Sequence, residues 1–420
     1  MVRQNISKLP ASRGDWKSIE VSMNSARRDD IPWRGPRTFK PAYFAGDDVV
    51  EVANRAYQMY ITDNALHGKA AFPSLVRYHD EVIEMVLDML HAPFGAGGSA
   101  TIGGTESNFM ALKTARDWAR EHLPAATSPK IIVPRSAHPS FDKAAHMLGV
   151  RIERMSESPL FLADVDAMAA AVDEHAIMMV ASAPPYPYGQ SDPVAEIASI
   201  AREHSLWLHV DGCLGGFILP FAREFDDSIP DFDFVVPGVT SMSVDIHKYG
   251  YAAKGISALL LRDADLDKFQ RSVHDDWPGG MYATANVAGS HSGGAVASAW
   301  AVMNYLGREG YREVVKQQID IREALISGIE SIEGLEVWAK PQAFNFAFGS
   351  KTLDIFAVAD GMTDKGWTLG RAREPDSIQL MITVAHAASI DEFLRELAET
   401  SEAVRSGSLR ARQTQAVYAN

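Results

Sequence analysis

The chain has 420 residues and 46% hydrophobic content, enough for an enzyme-sized core of two packed units. Its formal net charge of −14 leaves no basic face for a nucleic-acid backbone and gives an anionic-membrane role no support. The single cysteine, Cys213, excludes an intramolecular disulfide framework and fits a reducing compartment.

The first twenty residues contain no apolar targeting core, and no run of eighteen uncharged apolar residues follows anywhere. The expectation is a soluble, cytoplasmic protein with no membrane anchor. Residues 1–58 are polar and Pro/Arg-rich (IPWRGPRTFKP), turn helical from about Asp47, and have no core of their own; they read as an arm that wraps something. Residues 59–303 read as a large domain. Strand-length apolar runs (Ile131 to Val133, Ile177 to Ala181, Leu206 to Val210, Phe234 to Val236, Ser257 to Leu261) alternate there with helical patterns such as 193–204. That alternation predicts an α/β fold with a mostly parallel sheet, whose ligands sit at strand carboxyl ends. Residues 304–420 read as a smaller α/β domain: a long helix from Tyr311 to Ile332, strands at Leu335 to Trp338, Phe344 to Phe348 and Ile378 to Val384, and a helix from about Ile390. The tail SGSLRARQTQAVYAN is expected to be mobile unless something pins it.

Three motifs carry chemistry. In TIGGTESNFMALKTARDWARE, Gly103, Gly104 and Thr105 precede a helical pattern, where free backbone N–H groups and the helix dipole favour an anion. The nearby GAGGSA satisfies a dinucleotide fingerprint, but DEVIEMVLDMLHAPF before it reads as a helix rather than the strand that fingerprint needs. In LWLHVDGCLGGF a buried-strand run ends in Asp211, which is either a turn cap or an acid facing the ligand crevice. In SVDIHKYGYAAKG, Lys248 follows His247 and precedes Tyr249 and Tyr251. A lysine whose pKa is lowered by desolvation becomes an amine able to form a Schiff base. A phosphate cradle, an acid for a pyridinium nitrogen and a lysine for an aldehyde together describe pyridoxal 5'-phosphate, and nothing calls for a metal.

The order of these motifs resembles the pyridoxal-phosphate-dependent group II decarboxylase superfamily and, more closely, the sphingosine-1-phosphate lyases. The likeness is carried by NALHGKAAFPSLVRYHDEV, GGTESN, AHPSFDKAAHMLG, DPVAEIA, HVDGCLGGFILPF, GVTSMSVDIHKYGYAAKG and DDWPGGMYATANVAGSHSGG. It implies the fold type I architecture of that superfamily, with Lys248 bonded to the cofactor aldehyde, Asp211 on the pyridine nitrogen and His138 stacked on the ring. It also places Gly104 and Thr105 at the cofactor phosphate and His247 in support of the same site. Gly289 and Ser290 match a loop that reaches the cofactor of the other subunit, so the implied assembly is a homodimer with shared sites. Tyr43, Asn64, His67 and Lys254 fall where the family binds a substrate phosphate, and Cys213 falls near its substrate channel.

The implied reaction breaks the Cα–Cβ bond of a phosphorylated long-chain amino alcohol, releasing an aldehyde and phosphoethanolamine. The alternative is an amino-acid decarboxylase, or a lyase for a smaller phosphorylated amine. Lys248, Tyr249, Tyr251 and His247 are the candidates for proton transfer. Three departures stand out. Tyr188 replaces a histidine and is expected to alter the substrate's polar contacts. His291 and Ser292 replace Arg-Pro, a change expected to loosen the crossing loop. Finally, the eukaryotic relatives carry a membrane anchor, for which no segment is read here.

Overall fold

The computed structural model describes residues 8–40, 42–413 and 415–417. Seven strands build the central sheet: β1 Gly97–Thr101, β2 Lys130–Pro134, β3 Arg151–Met155, β4 Ala176–Ser182, β5 Trp207–Asp211, β6 Val239–Val244 and β7 Ser257–Leu261. Their order is β1-β7-β6-β5-β4-β2-β3. Only β7 is antiparallel to its neighbours; the other adjacent pairs are parallel. β2, β4, β5 and β7 are buried at every position, as strands covered on both faces must be. Alternate residues accordingly feed two cores. Ile131 and Val133 pack with Met110, Leu112 and Phe141, whereas Ile132 and Leu208 join Ile197 and Val302. Because β4, β5 and β6 run parallel, Ser182, Asp211 and the residue after Val244 emerge at one edge of the sheet.

Most of the expected elements are present, and the exceptions have local causes. Phe234 to Val236 is a turn; the strand begins after Gly238, whose φ of 107° suits glycine. β1 is made of the glycine-rich segment GGSAT, and the helix Pro73–Met89 before it leaves no strand in front of the glycines. β3 (RIERM) is a charged edge strand without an apolar run.

An exposed hairpin, β8 Ser272–His274 with β9 Tyr282–Thr284, leads to the helix Gly294–Glu330, which is interrupted at Gly307 (φ 55°, ψ −175°). Beyond it lies an antiparallel sheet of β10 Glu336–Val337, β11 Asn345–Gly349, β12 Gly370–Ala372 and β13 Ser377–Met381, ordered β10-β11-β13-β12. The terminal helix Ile390–Arg405 starts where expected. Among the described residues no helix is long and apolar enough to cross a membrane, and no cluster of metal ligands occurs.

Part of the N-terminal arm wraps its own chain. Phe39 N–H donates to Thr368 O (2.9 Å) and Met381 N–H donates to Phe39 O (3.0 Å), so the arm extends the small sheet. The Phe39 ring is 1% exposed, stacked on His386 at 4.0 Å and packed against Phe393 and Trp367. The preceding helix, Trp16–Ala26, buries nothing in this chain. The tail is pinned by Arg412 N–H donating to Asp360 Oδ2 (2.6 Å), Arg371 Nη1 to Gln413 O (2.8 Å) and Lys40 Nζ to Val417 O (3.3 Å). Truncating Phe39 to Ala opens a cavity where this segment packs against the antiparallel sheet and the terminal helix, so urea unfolding of F39A should show a loss of about 3–5 kcal/mol. A loss below about 1 kcal/mol would mean the arm is not anchored there.

Candidate active site

A cavity of about 670 Å³ lies at the strand carboxyl ends. The start of the helix Gly104–His122, the loop carrying His138, the ends of β4 and β5, and the turn after β6 all contribute to its wall. Gly103, Gly104, Thr105, His138, Asp211, Cys213, His247 and Lys248 line it together, so the three sequence motifs converge.

At the helix start no side chain caps the free N–H groups. A Cβ at Gly104 would fall 2.7 and 2.8 Å from the Asp245 carboxylate oxygens and 2.8 Å from Cys213 Sγ. Only glycine allows this approach. Glu106 closes the cradle, accepting from Ile102 N–H (2.7 Å) and from Ala288 N–H (2.8 Å), which ties the 287–288 loop to it.

Asp211 is buried at the end of β5. Its Oδ2 accepts from Asn108 Nδ2 (3.0 Å), and its Oδ1 accepts from Cys213 N–H (3.0 Å) and Ser243 Oγ (3.3 Å). All three donors are uncharged. Asn108 also donates to Ser140 Oγ (2.9 Å), whose hydroxyl lies 2.9 Å from His138 Nδ1. Ser140 N–H donates to the same Nδ1 (3.1 Å), so that nitrogen accepts and the neutral ring carries its proton on Nε2. Burial holds the His138 pKa below the usual histidine range. Arg154 steadies this wall by donating to the carbonyls of Pro134, Arg135 and Ala137 and pairing with Asp142.

Lys248 Nζ lies 2.9 Å from Asp245 Oδ2. Here the expected direction of its pKa is reversed. Burial is the largest effect and disfavours the ammonium, but the charge and hydrogen bond of Asp245, together with neighbouring Tyr43 and Cys213, outweigh it and hold the lysine well above its ordinary value. Burial likewise pushes Asp245 up, and Lys248, His247 and the hydroxyl of Ser257 (2.5 Å) outweigh it and keep the carboxylate below its usual range. Asp245 stands in the SVDIHKYGYAAKG motif as a charge beside buried strands, but the motif reading gave it no role; an acid three residues before the lysine is its signal. Asn108, Ser140 and Glu106, within or just after GGTESN and AHPSF, were legible only as parts of those motifs.

Other expected residues fall elsewhere. Tyr249 is 1% exposed and donates to Ile382 O (3.2 Å), and Tyr251 accepts from Gln318 Nε2 (3.0 Å); neither lines the cavity. Tyr188 is also buried, packed on Phe161 and donating to Glu374 O (3.2 Å), with its phenol pushed to about 12 by burial. Tyr186, two residues earlier, lines the cavity instead. Lys254 lies beside the cavity: its Nζ donates to His247 O (3.1 Å) and sits 4.5 Å from the centre of the Tyr43 ring. Its ammonium reaches solvent, yet the crowding around it and the Lys248 charge lower its pKa to about 8. Asn64 donates to Ser290 Oγ (3.0 Å), and Gly289 accepts from His291 Nδ1 (2.8 Å). The 289–293 loop is further held by Ala65 N–H on His291 O, Ser292 Oγ on Ile61 O and Gly293 N–H on Asp63 O. The loosening expected from His291 and Ser292 is therefore offset within the chain. Asn64, Gly289 and Ser290 do not line this chain's cavity. The backbone of His67 ends a short helical turn, and its side chain lies outside the described residues.

The donor set fits pyridoxal phosphate. His247 Nδ1, Asn108 Oδ1 and Ser182 Oγ are buried beside the cavity without hydrogen-bond partners, which a polar guest can satisfy. Asp211, the uncapped helix start and Lys248 match its ring nitrogen, phosphate and aldehyde. Adding a methyl group in G104A should therefore weaken cofactor binding at least tenfold while leaving the far-UV circular dichroism unchanged; equilibrium dialysis decides it. The Asp245–Lys248 pair also sets a pH dependence. A depressed carboxylate stabilises the fold above its unfolded value of 3.8 and loses that contribution as pH falls through its lower folded value. The stability gap between the native chain and D245N should thus be widest near neutral pH and close below pH 3.8.

The pyridoxal-dependent decarboxylase conserved domain matches residues 31–351. The sphingosine-1-phosphate lyase of Arabidopsis thaliana is 38% identical over 412 residues, 96% of this chain and 75% of that protein. A probable L-tyrosine/L-aspartate decarboxylase of Methanocella arvoryzae is 35% identical over 82% of this chain and 89% of its own length. Among solved structures, a sphingosine-1-phosphate lyase from Burkholderia pseudomallei superposes with a TM-score of 0.91 at 35% identity, covering 96% of this chain and 94% of that one.

Proposed function

We propose that this chain, which belongs to the sphingosine-1-phosphate lyase family and carries its pyridoxal-dependent decarboxylase domain, cleaves the Cα–Cβ bond of a phosphorylated long-chain amino alcohol. The products are an aldehyde and phosphoethanolamine. The observation that carries this reading is similarity along almost the whole chain, to a curated lyase and to a solved one. Bound pyridoxal phosphate supplies the electron sink for the bond that breaks at the amine-bearing carbon.

The chain's own groups do the rest. Asp211, fixed by three neutral donors, presents its charge to the pyridine nitrogen. Lys248 would hold the aldehyde, and its amine when free, like the imidazole of His247, lies within the cavity and is able to move a proton. Tyr249 and Tyr251 are withdrawn from that role because their hydroxyls are engaged in the core. Asp245 keeps the Lys248 amine oriented. Lys254, beside Tyr43, supplies a cation for the substrate phosphate. We further propose a homodimer in which Gly289 and Ser290 reach the partner's cofactor, with residues 1–58 as dimerisation arm, 59–303 as cofactor domain and 304–420 as small domain, and a cytoplasmic location.

Mass spectrometry of cofactor-loaded protein with sphingosine 1-phosphate tests the reaction. Long-chain aldehyde and phosphoethanolamine are the expected products, abolished in K248A. Intact substrate, with carbon dioxide released from an amino acid instead, would move the chain to the decarboxylase reading that its likeness to the Methanocella protein represents. Because Lys254 loses its charge near pH 8, kcat/KM should fall as pH rises through that value, and K254R, charged throughout, should lose this alkaline limb. An unaltered limb in K254R would remove Lys254 from phosphate binding.

A further inference from the structure

Behind Asp211 a line of side chains runs along the β5–β6 interface. His209 sits two residues before Asp211 on β5 and therefore on the same face. Its register partner is Ser241, and that of Asp211 is Ser243. Four hydrogen bonds join them: Trp207 Nε1 to Ser241 Oγ (2.7 Å), Ser241 Oγ to His209 Nδ1 (2.8 Å), His209 Nε2 to Ser243 Oγ (3.2 Å) and Ser243 Oγ to Asp211 Oδ1 (3.3 Å). His209, Ser241 and Ser243 are all 0% exposed.

The two ends fix the direction of every bond. An indole N–H only donates and an ionised carboxylate only accepts. Ser243 gives its one hydroxyl hydrogen to Asp211, so it accepts from His209 Nε2, and Nδ1 of the neutral ring accepts the hydrogen of Ser241, whose oxygen accepts from Trp207. Four groups thus donate in one sense, toward the carboxylate, and aligned bonds of this kind polarise one another. Burial lowers the His209 pKa to about 4, so the ring stays neutral at working pH and the direction is not reversed by protonation.

We propose that His209 and Ser243 are positioning residues that act through Asp211, stabilising its ionised form and thereby keeping the proton on the cofactor's pyridine nitrogen. This rests on the reading of the cavity as a pyridoxal-phosphate site. Removing the relay makes Asp211 the stronger base, the shared proton shifts from nitrogen to carboxylate, and the electron sink weakens.

The test uses cofactor labelled with 15N in the ring, bound to the full chain and read by solid-state NMR, alongside kcat and KM. The native chain should give a protonated ring nitrogen. S243A, which removes one hydroxyl, and H209F, which keeps ring volume, should move the 15N shift toward the unprotonated value and lower kcat about tenfold with KM little changed. H209Q, whose amide can both accept from Ser241 and donate to Ser243, should restore the shift. The double variant H209F/S243A should be no worse than either single one, because both cut the same line. A native 15N shift in S243A, or additive losses in the double variant, would overturn the relay while leaving the cofactor site intact. Failure of the native chain to bind the cofactor would overturn the site and the relay together.

Discussion

The cavity depends on one carboxylate that has almost no access to water. Asp245 follows the last residue of β6, 3% exposed, and a charge there is tolerated only if it is matched. Lys248 matches it within one turn, and Ser257 at the start of β7 fills a further acceptor position. The pair sets the path of the chain between two antiparallel strands and leaves the lysine facing the cavity. It also imposes glycine at position 104, because the helix that begins there runs directly against the Asp245 oxygens. Lysine, helix start and strand edge are therefore held at mutual distances by a single buried charge.

Two acids at the ends of neighbouring parallel strands thus take different roles from their surroundings. Asp245 has a cation within hydrogen-bond distance and acts inside the protein. Asp211 receives only neutral donors from Asn108, Ser243 and the Cys213 backbone, so its charge is left for a cationic guest. The thiol of Cys213, between the two, is pushed well up by burial and by both carboxylates, which makes it a wall of the cavity rather than a nucleophile.

The antiparallel sheet holds the cavity wall that carries Tyr186. Asn345 Nδ2 and Gln379 Nε2 both donate to the carbonyl of Tyr186 (2.8 and 3.1 Å), and Tyr188 donates to Glu374 O. The segment that follows β4 is thereby clamped by β11 and β13. Tyr188, where the family likeness puts a histidine, belongs to this packing between the two sheets' segments, so its departure bears on that contact rather than on the polar lining of the cavity.

Much of this was legible in the sequence. The apolar runs of β2, β4, β5 and β7 report strands buried on both faces, and GGT before a helix, an acid at the end of β5 and the HK pair after β6 report a phosphate, a pyridinium nitrogen and an aldehyde. Those signals are local, because each lies in a few consecutive residues with a fixed period or end. β1 and β3 escaped because glycines and edge charges carry no apolar period. The fate of the tyrosines and the line from Trp207 to Asp211 were decided by tertiary structure alone. Each depends on which groups from distant segments come within about 3 Å in a low-dielectric interior, where a partner's charge or hydrogen bond outweighs desolvation. The sequence by itself determined the chemistry available; only the packing of strand ends, helix start and antiparallel sheet decided which copies of each residue type would face the cavity.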